Sequence, residues 1–180
     1  MNDNNPFDSL SEFETNDGTF SNYVSLRNKK INLIMDAGPS PTKKFSNNYQ
    51  AGALSFEFVS NGKKIITNSG YCNKNNRKLN ELSRSSAVHN ILVIDDNSSC
   101  KFKKNSNSEL EVTDGLKIIK RKIINEKDHW KIDVAHDGYL KKYNLFYERE
   151  IEFHPEKNKL IGIDKIIGKT TLPNLKFDLR

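Results

Sequence analysis

The stretch that decides how this chain folds reads Asn47-Asn48-Tyr49-Gln50-Ala51-Gly52-Ala53-Leu54-Ser55-Phe56-Glu57-Phe58. From Leu54 to Phe58, apolar and polar residues alternate, a period of two that predicts a strand with one buried face and one wet face. The residues before this strand are polar and prone to turns. We therefore expect Asn48 and Gln50 to lie just before the start of the strand, where amide side chains can hold a ligand.

The rest of the chain has the composition of a sheet protein. Short runs rich in Val, Ile, Phe and Tyr recur along it, which favours strands, and no amphipathic helix longer than a turn or two is evident. Its 180 residues suit one domain, and 35% hydrophobic with 29% charged residues suit a thin core between stacked sheets. The predicted class is all-β, an antiparallel β-sandwich over residues 19–180, after a disordered or loosely attached segment at 1–18.

Turn-forming residues divide the chain into predicted strands. Asn61-Gly62 is a strong hairpin signal, whereas Tyr71–Ser83 predicts a long polar loop with room for one helical turn. Ile91–Ile94 is continuously apolar and should be buried on both faces. The other predicted strands are Phe20–Leu26, Ile31–Met35, Lys64–Thr67, Leu110–Val112, Leu116–Ile124, Trp130–His136, Tyr143–Phe153 and Leu160–Ile167.

The chain is basic, with a formal charge of +6 and a pI near 9.2. This charge favours an acidic partner, and a solvated lysine-rich surface explains it equally well. The basic residues are scattered and accompany no recognition helix or repeated aromatic–basic motif, which argues against nucleic acid. An acidic polysaccharide would be attracted by the same charge.

The two cysteines and the N-terminal residues give only weak information about the compartment in which the protein works. Cys72 and Cys100 could form one disulfide or remain two free thiols. Residues 1–17 are polar and acidic and contain no apolar core of a signal peptide, and no run is long enough to span a membrane. This chain expressed alone is therefore expected in the cytoplasm.

The sequence contains four histidines and no self-evident catalytic motif. His89 precedes a buried strand and either projects into a cleft or has a structural role. His129 is expected to be exposed and His154 to lie in a turn, while His136 begins a turn in which Asp137 caps the backbone. HExxH, CxxC, a phosphate loop and a Gly-x-Ser-x-Gly elbow are all absent.

Several polar motifs nevertheless follow one another in a distinctive order. They read Asp36-Ala37-Gly38-Pro39-Ser40-Pro41, Gln50-Ala51-Gly52-Ala53-Leu54-Ser55-Phe56-Glu57, Ile66-Thr67-Asn68-Ser69-Gly70, Arg84-Ser85-Ser86-Ala87-Val88-His89-Asn90, and His136-Asp137-Gly138-Tyr139 followed by Tyr147-Glu148-Arg149. Each resembles a motif in the C-terminal β-sandwich domain of the heparinase II/III-like polysaccharide lyases. One such motif would be weak, but the ordered series makes the resemblance specific.

The resemblance implies a fold and an activity. Such enzymes join an N-terminal helical toroid to this supersandwich-like domain and cut acidic polysaccharides by β-elimination at a uronic acid. A base removes the proton beside the carboxylate, whose charge must be neutralised, and a tyrosine or histidine serves the leaving oxygen. Most members are exported to the periplasm or cell envelope. Here the toroid is missing, and the chain is expected to be a fragment whose sandwich is incomplete at the C-terminal end.

The resemblance also implies a zinc site, with altered ligands. The positions of the family's zinc ligands fall on Gln50, Asn68 and His89. Of these only His89 is a good zinc ligand, because the amides of Gln and Asn offer neutral carbonyl donors. We therefore expect a polar network that ties three loops together without metal, in preference to a zinc site.

The family's catalytic histidine falls on Asn48, which cannot act as a general base at neutral pH but could hydrogen-bond a uronate carboxylate. Arg84 and Tyr139, which belong to the shared motifs, are expected to bind substrate together with Asn48. The expected function is that of the sandwich domain of a lyase, inactive as this isolated chain. The alternative is a non-catalytic module that binds acidic glycans.

Overall fold

The computed structural model describes residues 22–72 and 76–180, so the predicted loose segment at residues 1–18 lies outside the described residues. Two four-stranded antiparallel sheets dominate the fold, accompanied by two small two-stranded sheets. This architecture confirms the predicted all-β sandwich class.

The first large sheet comes from the N-terminal part of the chain. Its strands are β1 (Tyr23–Arg27), β2 (Ile31–Asp36), β3 (Phe56–Ser60) and β4 (Lys63–Ile66). They pair in the order β1-β2-β3-β4. The turn between β3 and β4 has positive φ at both Asn61 (49°) and Gly62 (74°), which is the geometry of a type I′ hairpin and the reason for the Asn-Gly pair.

Short elements follow in the middle of the chain. They are helix α1 (Arg77–Ser83) and strands β5 (Leu92–Ile94), β6 (Lys101–Lys104) and β7 (Leu110–Asp114). Asn76 caps the start of helix α1, because its side chain accepts a hydrogen bond from the backbone N–H of Leu79. The helix occupies about half of the segment that the sequence predicts as a polar loop. Strands β6 and β7 form their own sheet. The sequence does not predict β6, because three of its four residues are lysine.

The second large sheet comes from the C-terminal part. Its strands are β8 (Ile118–Asn125), β9 (Trp130–His136), β10 (Leu145–His154) and β11 (Lys159–Gly168), paired in the order β11-β10-β9-β8. The sequence predicts that Tyr143 starts β10. Tyr143 instead ends a short helix, α2 (Leu140–Tyr143), after which Asn144 with a φ of 57° redirects the chain. A final strand, β12 (Phe177–Leu179), pairs with β5.

The core lies between the two large sheets. Alternate residues of β1, β2 and β3 pack against alternate residues of β9 and β10, and the rings of Phe58 and Phe153 meet at a centroid distance of 5.3 Å. Phe153 also contacts Trp130. Burial of these apolar side chains is the main source of stability for a fold of this kind. Arg149 occupies a core-facing position of β10 and is only 3% exposed.

The decisive stretch departs from a regular strand at its start. Strand β3 begins at Phe56, and Leu54 lies in a turn with a φ of 72°. Both Leu54 and Ser55 are buried, so the predicted wet face does not include Ser55. The turn is held from outside: the backbone N–H of Leu54 donates to the carbonyl of Asp36, and its own carbonyl accepts from Arg149 Nη1.

Two further sequence expectations concern thiols and membranes. Cys72 and Cys100 are both free thiols, the second of them buried. Within residues 22–72 and 76–180, no helix has the length and apolar character needed to cross a membrane.

Candidate functional site

An open cavity of about 470 Å³ lies beside the first sheet, where the decisive stretch enters β3. Side chains from β1, β2, β3, the lead-in to β3 and the segment after β4 line it. Tyrosines and amides predominate among its polar groups. The lining residues are Tyr23, Ile34, Asp36, Asn48, Tyr49, Gln50, Gly52, Ser55, Phe56, Glu57, Asn68, Gly70 and Tyr71.

A series of side-chain hydrogen bonds connects three segments beside this cavity. Asn68 Nδ2 donates to Ser55 Oγ at 2.8 Å, which leaves Asn68 Oδ1 to accept from His89 Nδ1 at 2.9 Å. His89 is 1% exposed, and a Cβ added to Gly52 would stand 3.1 Å from its ring. Burial lowers the pKa of His89 below its ordinary value, opposed by the backbone of Ser83. His89 is therefore neutral at pH 7, and the network holds β3, the segment after β4 and the segment before β5 together.

The two predicted site residues before β3, Asn48 and Gln50, differ in exposure. Asn48 is exposed, and its Oδ1 accepts from the hydroxyl of Tyr71 at 3.3 Å. Asn80 Nδ2 donates to the same hydroxyl at 2.8 Å. Gln50 Nε2 is buried and has no hydrogen-bond partner among the residues that the structure describes. A buried donor of this kind costs free energy until something accepts its hydrogen bond, and Gln50 also lines the cavity.

These residues do not fit a zinc ion. Asn68 Oδ1, the oxygen that a metal would need, already accepts from His89 Nδ1, which leaves His89 Nε2 as the one good zinc-binding atom that the three residues offer. The remaining donor, Gln50, is an amide, and Zn²⁺ in proteins is held by thiolate, imidazole and carboxylate ligands. Of the family-derived positions, Asn68 and His89 are joined with Ser55 in a hydrogen-bonded network, while Gln50 Nε2 makes no hydrogen bond within the described residues.

The cavity also contains a carboxyl group with an unusual pKa. Burial raises the pKa of Asp36 from 3.8 to about 6, and the hydrogen bond from the backbone of Gly38 opposes this shift. Burial and the charge of Asp36 also raise the pKa of Tyr23, which is the cross-strand partner of Asp36 in the β1–β2 pair.

The charge of the cavity differs from the charge of the whole chain. Asp36 and Glu57 line it, while no lysine or arginine does so among residues 22–72 and 76–180. The overall charge of +6 therefore does not come from this site. A carboxylate bound in the cavity would be stabilised by hydrogen bonds from neutral N–H and O–H donors, and a cation that neutralised its charge would have to come from outside these lining residues.

Arg84 is a buried residue that binds the backbone next to the site. Its guanidinium donates to the carbonyls of Tyr49 at 2.8 Å, Leu110 at 2.9 Å and Ser46 at 2.6 Å, and it lies 4.7 Å from the ring centre of Phe102. Arg84 is 2% exposed. Because its donors are engaged by the backbone, we assign Arg84 to positioning the lead-in to β3 and not to substrate contact.

Tyr139 lies away from the other predicted site residues. It is 1% exposed, and its hydroxyl donates to the carbonyls of Leu92 and Asn97 at 3.3 and 3.2 Å. Burial raises its pKa well above the ordinary value. Tyr139 borders a different cavity, shared with Cys100 and Lys142. The structure thus brings Asn48, Gln50, Asn68 and His89 together and leaves Tyr139 as a link between α2 and β5.

Sequence reasoning missed three groups at the cavity, Tyr23, Asp36 and Tyr71. Asp36 begins the motif Asp36–Pro41, which is a signal visible in the sequence. The pairing of β1 with β2, which brings Asp36 opposite Tyr23, is not visible in the sequence. Tyr71 stands in a stretch predicted as a loop, where no periodicity indicates which way a side chain points.

Substitution of Gly52 by alanine should disturb the network directly. The new Cβ would lie 3.1 to 3.2 Å from three atoms of the His89 ring, so the ring must move and its bond to Asn68 must lengthen. We expect the free energy of unfolding to fall by about 1–3 kcal/mol, the usual cost of overpacking. Urea denaturation measures this, with Gly162→Ala as a control, because a Cβ added there would meet the end of the Ile151 side chain at an ordinary contact distance of 3.4 Å. A Gly52→Ala protein as stable as the parent would contradict the packing described here.

The raised pKa of Asp36 predicts a pH dependence of stability. Between the unfolded value of 3.8 and the folded value of about 6, the folded state holds the proton more tightly than the unfolded state. The free energy of unfolding should therefore fall as pH rises from about 4 to 6 through this group. Asp36→Asn should remove that part of the profile, so the difference between the two proteins, measured by urea denaturation across this range, isolates it. An unchanged difference at pH 4 and pH 6.5 would contradict the assignment.

Comparison with solved structures shows that other proteins share this fold. A crystal structure of a mutant of the heparan sulfate lyase HepC from Pedobacter heparinus matches 90% of this chain with a TM-score of 0.58 at 17% sequence identity. A heparinase III gene product matches 89% of the chain with a TM-score of 0.54 at 16% identity. The match covers 25% and 24% of those two chains, so this chain spans about a quarter of their length.

Sequence comparison identifies the family. No curated individual protein matches the chain, but the family model described as heparinase II/III-like, C-terminal, matches residues 13–180. That range includes the decisive stretch, the cavity and both large sheets. The chain therefore belongs to the heparinase II/III-like C-terminal domain family.

Proposed function

We propose that this protein is the substrate-facing sandwich domain of a polysaccharide lyase that cleaves uronate-containing polysaccharide by β-elimination, and that it is incomplete as a catalyst alone. The observation that supports this most directly is the open cavity, whose amide and tyrosine donors suit sugar hydroxyl and carboxylate oxygens. Membership of the lyase family agrees with it. We propose an acidic polysaccharide as the substrate and the cell envelope as the place of action, which cell fractionation would test.

The groups in the cavity suit binding better than proton abstraction. β-Elimination needs a base near the acidic C–H, neutralisation of the adjacent carboxylate and an acid for the leaving oxygen. Gln50 Nε2 and the Asn48 amide can donate to a carboxylate, and the Tyr71 hydroxyl stands beside Asn48. Asn48 has no basic atom, and His89 is buried against Gly52. We therefore infer that the base comes from a separate toroid domain or polypeptide.

We also propose that the site works without zinc. The hydrogen bonds that join Ser55, Asn68 and His89 take the place of shared metal coordination and tie the three segments together. The purified chain should keep its affinity for glycans after treatment with a chelator. Loss of glycan affinity on chelation, restored by zinc and abolished in His89→Ala, would overturn this part of the proposal.

A turnover assay tests whether the chain alone lacks part of the catalytic machinery. We expect the chain, incubated separately with heparin, heparan sulfate and alginate, to release no unsaturated uronate, as followed by ultraviolet absorbance. Product formation from any of the three by the chain alone would show that the base is present within it. An intact family member that cleaves the same substrate serves as the positive control.

A binding assay tests the site itself and also the alternative function, a non-catalytic module for acidic glycans. The unpartnered Gln50 donor favours binding in either case. We expect affinity electrophoresis to show retardation by an acidic glycan, and Gln50→Ala to weaken it severalfold. Asn125→Ala, which removes an exposed amide from β8, is the matched control and should bind as the parent does. Absence of retardation on every acidic glycan would refute both functions for the isolated domain.

A further inference from the structure

Two histidines and a glutamate lie close together on the second large sheet. His129 immediately precedes β9, while Glu152 and His154 are the last two outward-facing residues of β10. Trp130 pairs with Phe153 in the β9–β10 register. Positions 129 and 154 therefore face each other one step further along, and Glu152 lies on the same face as His154 because side chains alternate along a strand.

The spacing of their donor atoms is close to that of a metal site. His129 Nε2 lies 3.9 Å from Glu152 Oε1, and His154 Nε2 lies 3.7 Å from Glu152 Oε2. One ligand atom from each residue lies within 4.8 Å of the others. Ligands at about 2.0–2.2 Å from a tetrahedral zinc ion stand about 3.3–3.6 Å apart. Small side-chain rotations would close the difference.

The two rings lie side by side at the edge of the sheet. They stack at a centroid distance of 5.0 Å with an interplanar angle of 10°, so a metal ion held by both needs one ring to rotate until its nitrogen points at the ion. The three side chains are 30%, 22% and 28% exposed, which leaves the site open to solvent and to a metal ion. Stacked imidazoles beside a carboxylate provide the mixed nitrogen and oxygen donor set that zinc accepts.

A neighbouring lysine could compete with the metal, but the structure gives it a second partner. Lys131 Nζ lies 2.9 Å from Glu152 Oε1 and 3.0 Å from Glu150 Oε1. If Glu152 turned toward a metal ion, Lys131 would keep its ion pair with Glu150. Glu152 is therefore able to serve as a ligand without leaving Lys131 unpaired.

We propose that His129, Glu152 and His154 form a binding site for a zinc-like divalent transition metal, with water completing the coordination. The site is separate from the sugar-facing cavity and from the positions Gln50, Asn68 and His89. It joins the turn between β8 and β9 to the turn between β10 and β11, since His129 ends the first and His154 begins the second. The bound ion stabilises that end of the sheet.

Calorimetric titration of the tag-free, chelator-treated full chain with zinc chloride tests the proposal. We expect one ion per chain, a rise in the melting temperature with zinc, and at least a tenfold loss of affinity in both His129→Ala and His154→Ala. His89→Ala should bind zinc as the parent does. Glu152→Gln, which keeps both imidazoles, should bind with intermediate affinity.

The same variants provide the outcomes that would overturn the site. Absence of zinc binding by the parent chain would do so, as would binding that survives in His129→Ala and His154→Ala and is lost in His89→Ala. Because the two substituted histidines are partly exposed, their variants should retain the circular dichroism spectrum of the parent. His129→Gln and His154→Gln, which preserve more of the side-chain volume, repeat the titration for any variant that does not.

Discussion

Replacement of Arg149 by methionine should lower the free energy of unfolding by about 3–5 kcal/mol, the usual cost of breaking a buried ion pair. Arg149 lies among the core residues of β10, and its Nε and Nη2 bind the carboxylate of Asp164 at 2.7 and 3.0 Å. Its Nη1 donates to the carbonyls of Leu54 and Asn90. Methionine fills similar space but leaves Asp164 and both carbonyls without these donors.

The loss should extend beyond the ion pair, because Arg149 joins the second sheet to the first. The carbonyl of Leu54 belongs to the turn with a φ of 72° that leads into β3. A left-handed conformation at leucine costs roughly 1–2 kcal/mol, and the Arg149 bond is one of the contacts that hold it. We therefore expect the variant to bind acidic glycans less well, although Arg149 does not line the cavity.

Urea denaturation measures this prediction, and an exposed ion pair provides the control. Lys141 is 78% exposed and lies 3.1 Å from Asp114, so Lys141→Ala should change stability by about 1 kcal/mol or less. Asp164→Asn combined with Arg149→Met should be less destabilising than the sum of the single changes, as expected for groups in contact. Equal effects of Arg149→Met and Lys141→Ala would contradict the role assigned to Arg149.

Replacement of Arg84 by methionine should have the second large effect, also about 3–5 kcal/mol. The three carbonyls that Arg84 binds belong to Ser46, Tyr49 and Leu110. Loss of a buried charged donor leaves such acceptors unsatisfied, at about 1–3 kcal/mol each where water cannot replace it. Since Ser46 and Tyr49 flank Asn48, the entrance of the cavity should lose its shape as stability falls.

Arg84→Lys separates charge from geometry. Lysine keeps the positive charge but cannot present a planar fork to three carbonyls, so we expect it to recover only a minor part of the lost stability. Hydrogen exchange should show faster exchange at Ala51, whose N–H donates to the Arg84 carbonyl, in both variants. Full recovery of stability in Arg84→Lys would mean that charge alone matters there.

Periodicity and turn chemistry predict much of this fold. Trp130–His136 is a strand with the predicted bounds, and Asn61-Gly62 forms the predicted hairpin turn. The errors occur where long-range contacts override local pattern. Leu54 continues an alternating run but forms a turn, because Asp36 and Arg149 bind its backbone. Tyr143 continues the alternation of Leu145 and Tyr147 but ends helix α2.

Residue identity alone also limits the chemistry of the candidate site. An asparagine at position 48 cannot be a base, and amides at positions 50 and 68 are poor metal ligands, whatever the backbone does. The same sequence cannot show that Asn68 and His89 bond to each other, or that Gln50 keeps a free donor. Those facts depend on how segments distant along the chain meet.

For the decisive stretch Asn47–Phe58 and the site around it, local sequence and tertiary structure therefore determine different properties. By itself, the sequence determined a sandwich class, a family and a site without a histidine base, because periodicity and functional groups are local properties. Only the tertiary structure decided that Arg84 and Arg149 are buried supports, that Asp36 faces the cavity with a raised pKa, and that His129, Glu152 and His154 converge. Burial, electrostatic environment and ligand geometry arise from strand pairing and packing between residues far apart in the chain.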